Sequence, residues 1–412
     1  MKALVIGGGL AGCAAALELV DTGHDVTLLE ARPTLGGAVQ TLPERAGDPD
    51  PPPDNGQHIA LGCFTEYLRF LDRIGAAAGS YERRALALPV IDEHGAVAEI
   101  KPSLQALLAY RHLSMRDRLR IPIVTARLRS VKAKPGETFG AVLRRLGASE
   151  AAVVRFWDVF IRPALNLRTD EADADVGLFT VRTALLGRRG DSDLILPTRP
   201  LGAMHGDAAG RALERAGAVI RTGERVDDLD EINADAVVLA VPPRESTRLL
   251  GEPEPELEDS PIVSVHLLFD RPLLRQPLAA LLGSDAHWVF DRGALTGHPP
   301  ERGQYLTVVS SGVPELMELR GASLVERIAA DVTGRLGHAE LMWSRVSREP
   351  YATIALRPGT GALRPGPRTS RPNVVRAGAW TNTGWPGTME SAVRSGRAAA
   401  RMLSDVATKV AA

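Results

Sequence analysis

Lys2-Ala3-Leu4-Val5-Ile6-Gly7-Gly8-Gly9-Leu10-Ala11-Gly12 carries the most specific local pattern in a chain of 412 residues. Residues 2–6 are a short apolar run, as in a parallel strand buried on both faces. Gly7-x-Gly9-x-x-Gly12 leads into an Ala/Leu-rich stretch, 10–22, that reads as a helix ended by Gly23 and His24. Asp25–Glu30 reads as a second strand. In such a βαβ beginning Gly7 permits the tight turn, Gly9 lets the backbone approach a pyrophosphate, and Gly12 lets the helix pack close to the strand. The amides around Leu10 and Ala11, at the helix start, face the phosphates with a favourable dipole. Glu30 ends the second strand about 20 residues on, where an acid binds ribose hydroxyls. This register predicts a dinucleotide-binding unit and by itself fits NAD and FAD alike.

The rest of the composition is that of an ordinary globular protein, with 44% hydrophobic and 24% charged residues. At roughly 150 residues per domain the length predicts two or three domains. A net charge of -1 gives no bias toward nucleic acid, and none is expected as a partner. The two cysteines, Cys13 and Cys63, have neither metal-ligand nor disulfide-framework spacing, which fits a reducing, cytoplasmic compartment. No secretory signal precedes residue 2. No apolar run reaches the ~20 residues of a spanning helix, so any membrane contact is expected to be peripheral.

Along the chain, 46–56 is a Gly/Pro/Asp-rich loop centred on Pro51-Pro52-Pro53. Helices are expected at 64–75, 138–165 (ending at Pro163), 207–217, 323–336 and from Thr388 to Leu403. Strands are expected at 218–221, 236–241, 262–269, 304–310 and 373–378. No internal repeat is evident. Nucleotide-type patterns at both ends and near 207–250 predict an α/β fold. Its discontinuous Rossmann-like domain would comprise 1–75, 205–255 and 365–412. An inserted α+β substrate domain would comprise 76–204 and 256–364.

Several segments narrow the identity of the dinucleotide. Glu30-Ala31-Arg32-Pro33-Thr34-Leu35-Gly36-Gly37 resembles the extended motif of the amine-oxidase-like flavoproteins, which points to FAD; Ala38 stands where those proteins often carry Arg. Further matches are Asn55-Gly56-Gln57-His58, Pro163-Ala164-Leu165-Asn166 before Thr169–Ala172, Ser260-Pro261-Ile262-Val263, Phe269-Asp270-Arg271-Pro272, Trp288-Val289-Phe290-Asp291-Arg292-Gly293, and the run from Gly378-Ala379-Trp380 to Gly396. Together these resemble the squalene-associated FAD-dependent desaturase family, beside the carotenoid desaturases.

That resemblance implies a reductive removal of the hydroxyl of hydroxysqualene to give squalene, with reduced FAD as hydride source. It implies FAD contacts at Gly7, Gly9, Leu10, Ala11, Gly12, Glu30, Ala31, Arg32, Gly36, Gly37, Gly56, Gln57, His58, Gly378 and Ala379. It adds a backbone contact from Val226 to adenine and a helix start at Thr388-Met389-Glu390 facing the flavin. Relatives have Gly-Asp where this chain has Gly378-Ala379, which is expected to weaken FAD binding. His58 is read either as the acid for the leaving hydroxyl or as a structural histidine on a backbone carbonyl. Trp380, Trp385, Trp288 and Phe290 are read either as channel lining or as packing. No metal site is expected.

Residues 103–134 carry eight basic residues against one acid, Asp117, interleaved with apolar ones. The segment 111–134 reads as a solvated helical face or as a surface on anionic lipid at the inner face of a membrane. The resulting expectation is a hydroxysqualene-reducing enzyme acting on a long-chain isoprenoid, in which other squalene-synthesis enzymes are possible partners. The alternatives are a carotenoid or other polyprenoid desaturase and, from another class, a non-catalytic interaction protein of a squalene-synthesis assembly.

Overall fold

The computed structural model describes residues 1–411. β1 (Lys2–Ile6), α1 (Leu10–Asp21) and β2 (Asp25–Glu30) form as the N-terminal pattern predicts. β1 is the middle of a five-stranded, all-parallel sheet. Its order runs Val374–Arg376, Ala236–Leu239, β1, β2, Val219–Thr222. Ala236–Leu239 is buried at every position, as a strand covered on both faces must be. The terminal helix, Met389–Ala411, packs along α1, with Gly396 against the backbone of Ala11 and Ala15 and with Ala399 and Ala400 in the same core cluster. The chain is thus an α/β protein with a Rossmann-like sheet assembled from separated stretches.

A second, seven-stranded sheet has the order Leu341–Ile354, Asp259–Phe269, Gln304–Ser311, Trp288–Asp291, Leu278–Leu281, Leu88–Ile91, Val97–Ile100. One face buries Val263, Val265, Leu267, Val289 and Val308 against Leu324, Ile328 and Val332 of the helix Ala322–Leu336. The other face begins with polar residues, because cross-strand register aligns Ser264 with Ser347 and His266 with Arg345. It becomes apolar toward Trp288, Phe290, Leu278, Ala280 and Val90, which share a cluster with Tyr110, Leu113, Ile121 and Val159 from a covering helical layer. Among the elements over and beside the sheets are α2 (Thr65–Arg73), α3 (Leu104–Ala109) and α4 (Met115–Leu128). Ser103 and Ser114 N-cap the last two by accepting from the amides of Ala106 and Asp117.

A three-stranded antiparallel sheet joins Ala60–Leu61 and Tyr81–Arg84 to Leu194–Pro197, so residues on both sides of position 75 share one sheet. The helix expected over 138–165 is instead broken: Phe139–Arg145 ends, Ser149 caps a new start, and a π-helical turn spans Val153–Trp157. Nor does it end at Pro163. It runs to Leu165 and stops at Asn166, whose φ of 55° is left-handed. No helix among the described residues is long and apolar enough to cross a membrane.

Candidate cofactor and active site

The turn after β1 has the geometry that a bound pyrophosphate requires. Gly7 has φ 103°, and a Cβ there would stand 2.3 Å from the Ala240 carbonyl oxygen. At Gly12 a Cβ would stand 1.8 Å from the Gly7 oxygen, so only glycine lets α1 start this close to the strand. A Cβ at Gly9 would meet only the Cα of Gly37, at 3.8 Å. It would fill an open cradle. The first amides of a helix lack intrahelical acceptors, and those of Leu10, Ala11 and Gly12 have none from elsewhere among the described residues. These unspent donors beside an open cradle fit a diphosphate.

Glu30 ends β2, where its Oε2 accepts from the Gly8 amide at 2.6 Å and its Oε1 from the Arg32 amide at 2.8 Å. Each oxygen keeps a second lone pair for a ribose hydroxyl. Ala31 and Arg32 are exposed just beyond. Gly36 donates to the Gly8 carbonyl at 2.8 Å, which brings the Gly36-Gly37 pair to the fingerprint turn. Val226 is half-buried, and its carbonyl accepts from Arg248 at 3.0 Å.

Asn55 ties this region to the second sheet. Its amide group donates to the Ala38 carbonyl (3.1 Å) and to Glu349 (3.0 Å), while its oxygen accepts from Ser347 (2.5 Å). Gly56, at φ 80°, lies against Ser264. Gln57 and His58 are half-buried beside it. His58 Nε2 is 3.1 Å from the Asn55 carbonyl, and burial lowers its pKa below the ordinary histidine value. The contact with a backbone carbonyl is the one weighed for a structural histidine, and the lowered pKa favours the neutral ring.

The C-terminal run is held by a residue that sequence patterns did not single out. Arg364 is buried and donates to the carbonyls of Trp380 (3.2 Å), Trp385 (2.6 Å), Ala379 (3.0 Å) and Thr381 (2.5 Å). It has no carboxylate partner among the described residues, and burial brings its pKa down to about 10. The Gly378 amide donates to Ser395, and Ser391 donates to the Ala379 carbonyl. Thr388 caps the terminal helix by accepting from the Ser391 amide, and Met389 packs against the core of the parallel sheet.

Glu390, in the first turn of the terminal helix, spends its carboxylate on a neighbouring helix. It is fully buried and accepts from the Glu66 and Tyr67 amides at the start of α2, and from Arg394. Trp380 is packed with Ile354 and Leu356, and its ring N–H donates to Val241. Trp385 is half-buried, edge-on to Phe64 and Phe179, with the Arg394 guanidinium 4.9 Å above it.

The family-like motifs in the middle of the chain form long-range clamps. Arg292 makes a buried ion pair with Asp54 at 2.5 Å and also donates to Pro52, which fixes the loop 46–56 against the second sheet. Arg345 pairs with Asp48 in the same loop. Asn166 donates to the carbonyls of Ser260 and Pro261.

The sequence profile of flavin containing amine oxidoreductases matches residues 10–403. A hydroxysqualene dehydroxylase of Sinorhizobium fredii is 29% identical over 98% of this chain and 99% of its own length. A zeta-carotene desaturase of Arabidopsis thaliana is 24% identical over 100% of this chain and 86% of its own. Among solved structures, an oxidoreductase from Methanosarcina mazei superposes with a TM-score of 0.76 at 19% identity, covering 97% of this chain and 99% of that one.

Proposed function

The chain belongs to the flavin containing amine oxidoreductase family and is an FAD-dependent oxidoreductase, and from that premise we propose that it removes the hydroxyl of hydroxysqualene reductively to give squalene. The observation that carries this reading is the near full-length similarity to a hydroxysqualene dehydroxylase. The overall balance is an allylic alcohol, a hydride and a proton going to an alkene and water. When bound, FAD in its reduced form supplies the hydride.

The residues of the chain divide the remaining work. The amides of Leu10, Ala11 and Gly12 hold the diphosphate, and Glu30 holds the ribose. The start of the terminal helix at Thr388-Met389 turns its positive end toward the charge that reduction adds to the flavin. Gly56, Gln57, Gly378 and Ala379 contribute backbone around the ring and its chain. The apolar cluster of Trp288, Phe290, Leu278 and Leu194 seats the isoprenoid and excludes water, which protects an allylic cation from capture. Glu349, which accepts from Asn55 beside Gly56, joins His58 as a candidate acid for the leaving hydroxyl. FAD-binding residues fall in 1–75, 205–255 and 365–412, and the substrate is taken by 76–204 and 256–364. An isoprenoid of this class dwells in lipid, so the reading includes a peripheral membrane contact at the cytoplasmic face, next to the enzymes of squalene synthesis.

A second reading, a polyprenoid desaturase, is favoured by the similarity to a zeta-carotene desaturase. Product analysis separates them. The first reading expects squalene from hydroxysqualene with the reduced protein. The second expects a longer conjugated chromophore from a carotene with the oxidised protein.

A further inference from the structure

α4 buries one stripe, made of Asp117, Ile121, Val124 and Leu128. At about 100° per residue, Met115, Leu119 and Ile123 fall on the opposite side. They are 54%, 55% and 52% exposed, and Leu104 and Leu108 of α3 are exposed too. A helix on a water-facing surface normally carries charge opposite its buried stripe. Here that position is an apolar ridge, and the charge lies along its flank. Arg116, Arg120 and Arg127 share one side of α4, and all three are exposed.

Charge on this face is net positive, and Asp117, whose charge reaches Arg116 and Arg120, offsets it only in part. Among the described residues the side chains of Arg111, Arg116 and Arg120 make no hydrogen bond or ion pair, whereas Arg144, Arg145 and Arg248 are each held by a carboxylate. The one acid of the segment, Asp117, is turned inward onto Ser114. Arg118 also faces inward: it donates to the carbonyls of Leu113 and Leu108 and staples α3 to α4.

We propose that the outer face of α3 and α4 docks on an anionic phospholipid bilayer, with Met115, Leu119, Ile123, Leu104 and Leu108 entering the headgroup–acyl boundary and Arg111, Arg116 and Arg120 meeting the phosphates. A second copy is a poor occupant, because it brings more arginines to the contact and no outward acid: Asp117 is turned inward. Anionic headgroups supply the missing charge. The buried stripe of α4 gives the surface its purpose. Ile121 belongs to the same apolar cluster as Trp288, Phe290 and Leu278, so this helix stands between lipid and the seat of the isoprenoid. That last clause rests on the proposed substrate; the docking surface does not.

The test is co-sedimentation of the full-length, FAD-loaded protein with vesicles of phosphatidylglycerol and phosphatidylethanolamine, against vesicles of phosphatidylcholine alone. Binding to the anionic vesicles only, weakened by salt, is expected. Arg116→Gln with Arg120→Gln should weaken it roughly five-fold per arginine. Leu119→Gln with Ile123→Gln should weaken it at least ten-fold. Flavin absorbance and melting temperature verify folding of each variant. No binding, equal binding to neutral vesicles, or binding indifferent to both pairs of changes overturns the proposal. A lipid-free dimer that the same changes dissolve also overturns it and assigns the face to a second copy. Turnover of hydroxysqualene dispersed in detergent should be unchanged in both variants. If the protein binds the vesicles but leaves hydroxysqualene intact, the docking stands and the proposed reaction fails.

Discussion

Gly396 lies so close to Ala11 that a Cβ at position 396 would stand 2.0 Å from the Ala11 carbonyl oxygen. The terminal helix and α1 therefore meet backbone to backbone, and this contact links the two helix starts that the proposed function turns toward the cofactor. One is the fingerprint turn at Gly9–Gly12, the other the turn at Thr388–Glu390. Gly396→Ala must push the helices apart, since the obstructing atom is backbone. The expected cost is about 1–3 kcal/mol, read as a lower melting temperature together with weaker FAD retention. Unchanged values for both would break the proposed coupling.

Glu30→Ala should weaken FAD binding by about 1–3 kcal/mol, the scale of a hydrogen bond to a charged group. Because Glu30 also accepts from Gly8 and Arg32, the turn itself should loosen. Titration of the apo-protein with FAD checks this, with Glu30→Gln retaining part of the affinity. Equal affinity for wild type and Glu30→Ala would remove Glu30 from the ribose.

Arg364 is the keystone of the 379–385 loop, through its four backbone carbonyls. Arg364→Met keeps most of the volume and removes every donor. A loss of about 3 kcal/mol is expected from carbonyls stripped of a charged partner, seen as a fall in melting temperature and release of FAD on gel filtration. A stable variant that holds its flavin would show that the loop supports itself.

Acid should destabilise the protein through its buried histidines. Burial takes His205 from an ordinary value of 6.5 down to about 4. Its Nδ1 lies 2.9 Å from the Leu201 carbonyl and its Nε2 2.7 Å from the Tyr67 hydroxyl, which suits a neutral ring that donates to the first and accepts from the second. The folded state keeps the ring neutral while the unfolded chain takes a proton below about 6.5. The stabilisation is therefore complete above that pH and drains away as pH falls toward 4. Between pH 7.5 and 5 this group alone should cost about 2 kcal/mol. His58, His266 and His287 are shifted in the same direction. Urea unfolding at the two pH values should show a smaller difference for His205→Gln; identical differences would mean that His205 does not titrate across this range.

How much of this was legible in the sequence depends on how local the signal is. Gly7, Gly9, Gly12 and Glu30 were readable because turn, helix and strand lie within one stretch and their spacing is physical. The strand Leu341–Ile354 was not. Its site-facing residues are polar, Arg345, Ser347 and Glu349, so it lacks the apolar alternation that marks a strand. The clamps Asp54–Arg292 and Arg364 to Trp385 were hidden for another reason: each is made by residues that only tertiary folding brings together. Glu390 was readable as part of a helix start, but its bonds to the α2 amides of Glu66 and Tyr67 were not, because the two helices are far apart in sequence. The basic segment looked uniform in sequence, and only the fold separates Arg118, which faces inward, from Arg116 and Arg120.

The most direct test of the central claim is a single anaerobic turnover. The protein is photoreduced, oxygen is excluded, and hydroxysqualene is added while the flavin spectrum is followed and the lipids are extracted. The account predicts that the oxidised flavin band returns in step with squalene formation, one squalene per flavin, and that Glu349→Gln slows the return at least ten-fold without lowering FAD content. A flavin that stays reduced, with hydroxysqualene recovered intact, would contradict it.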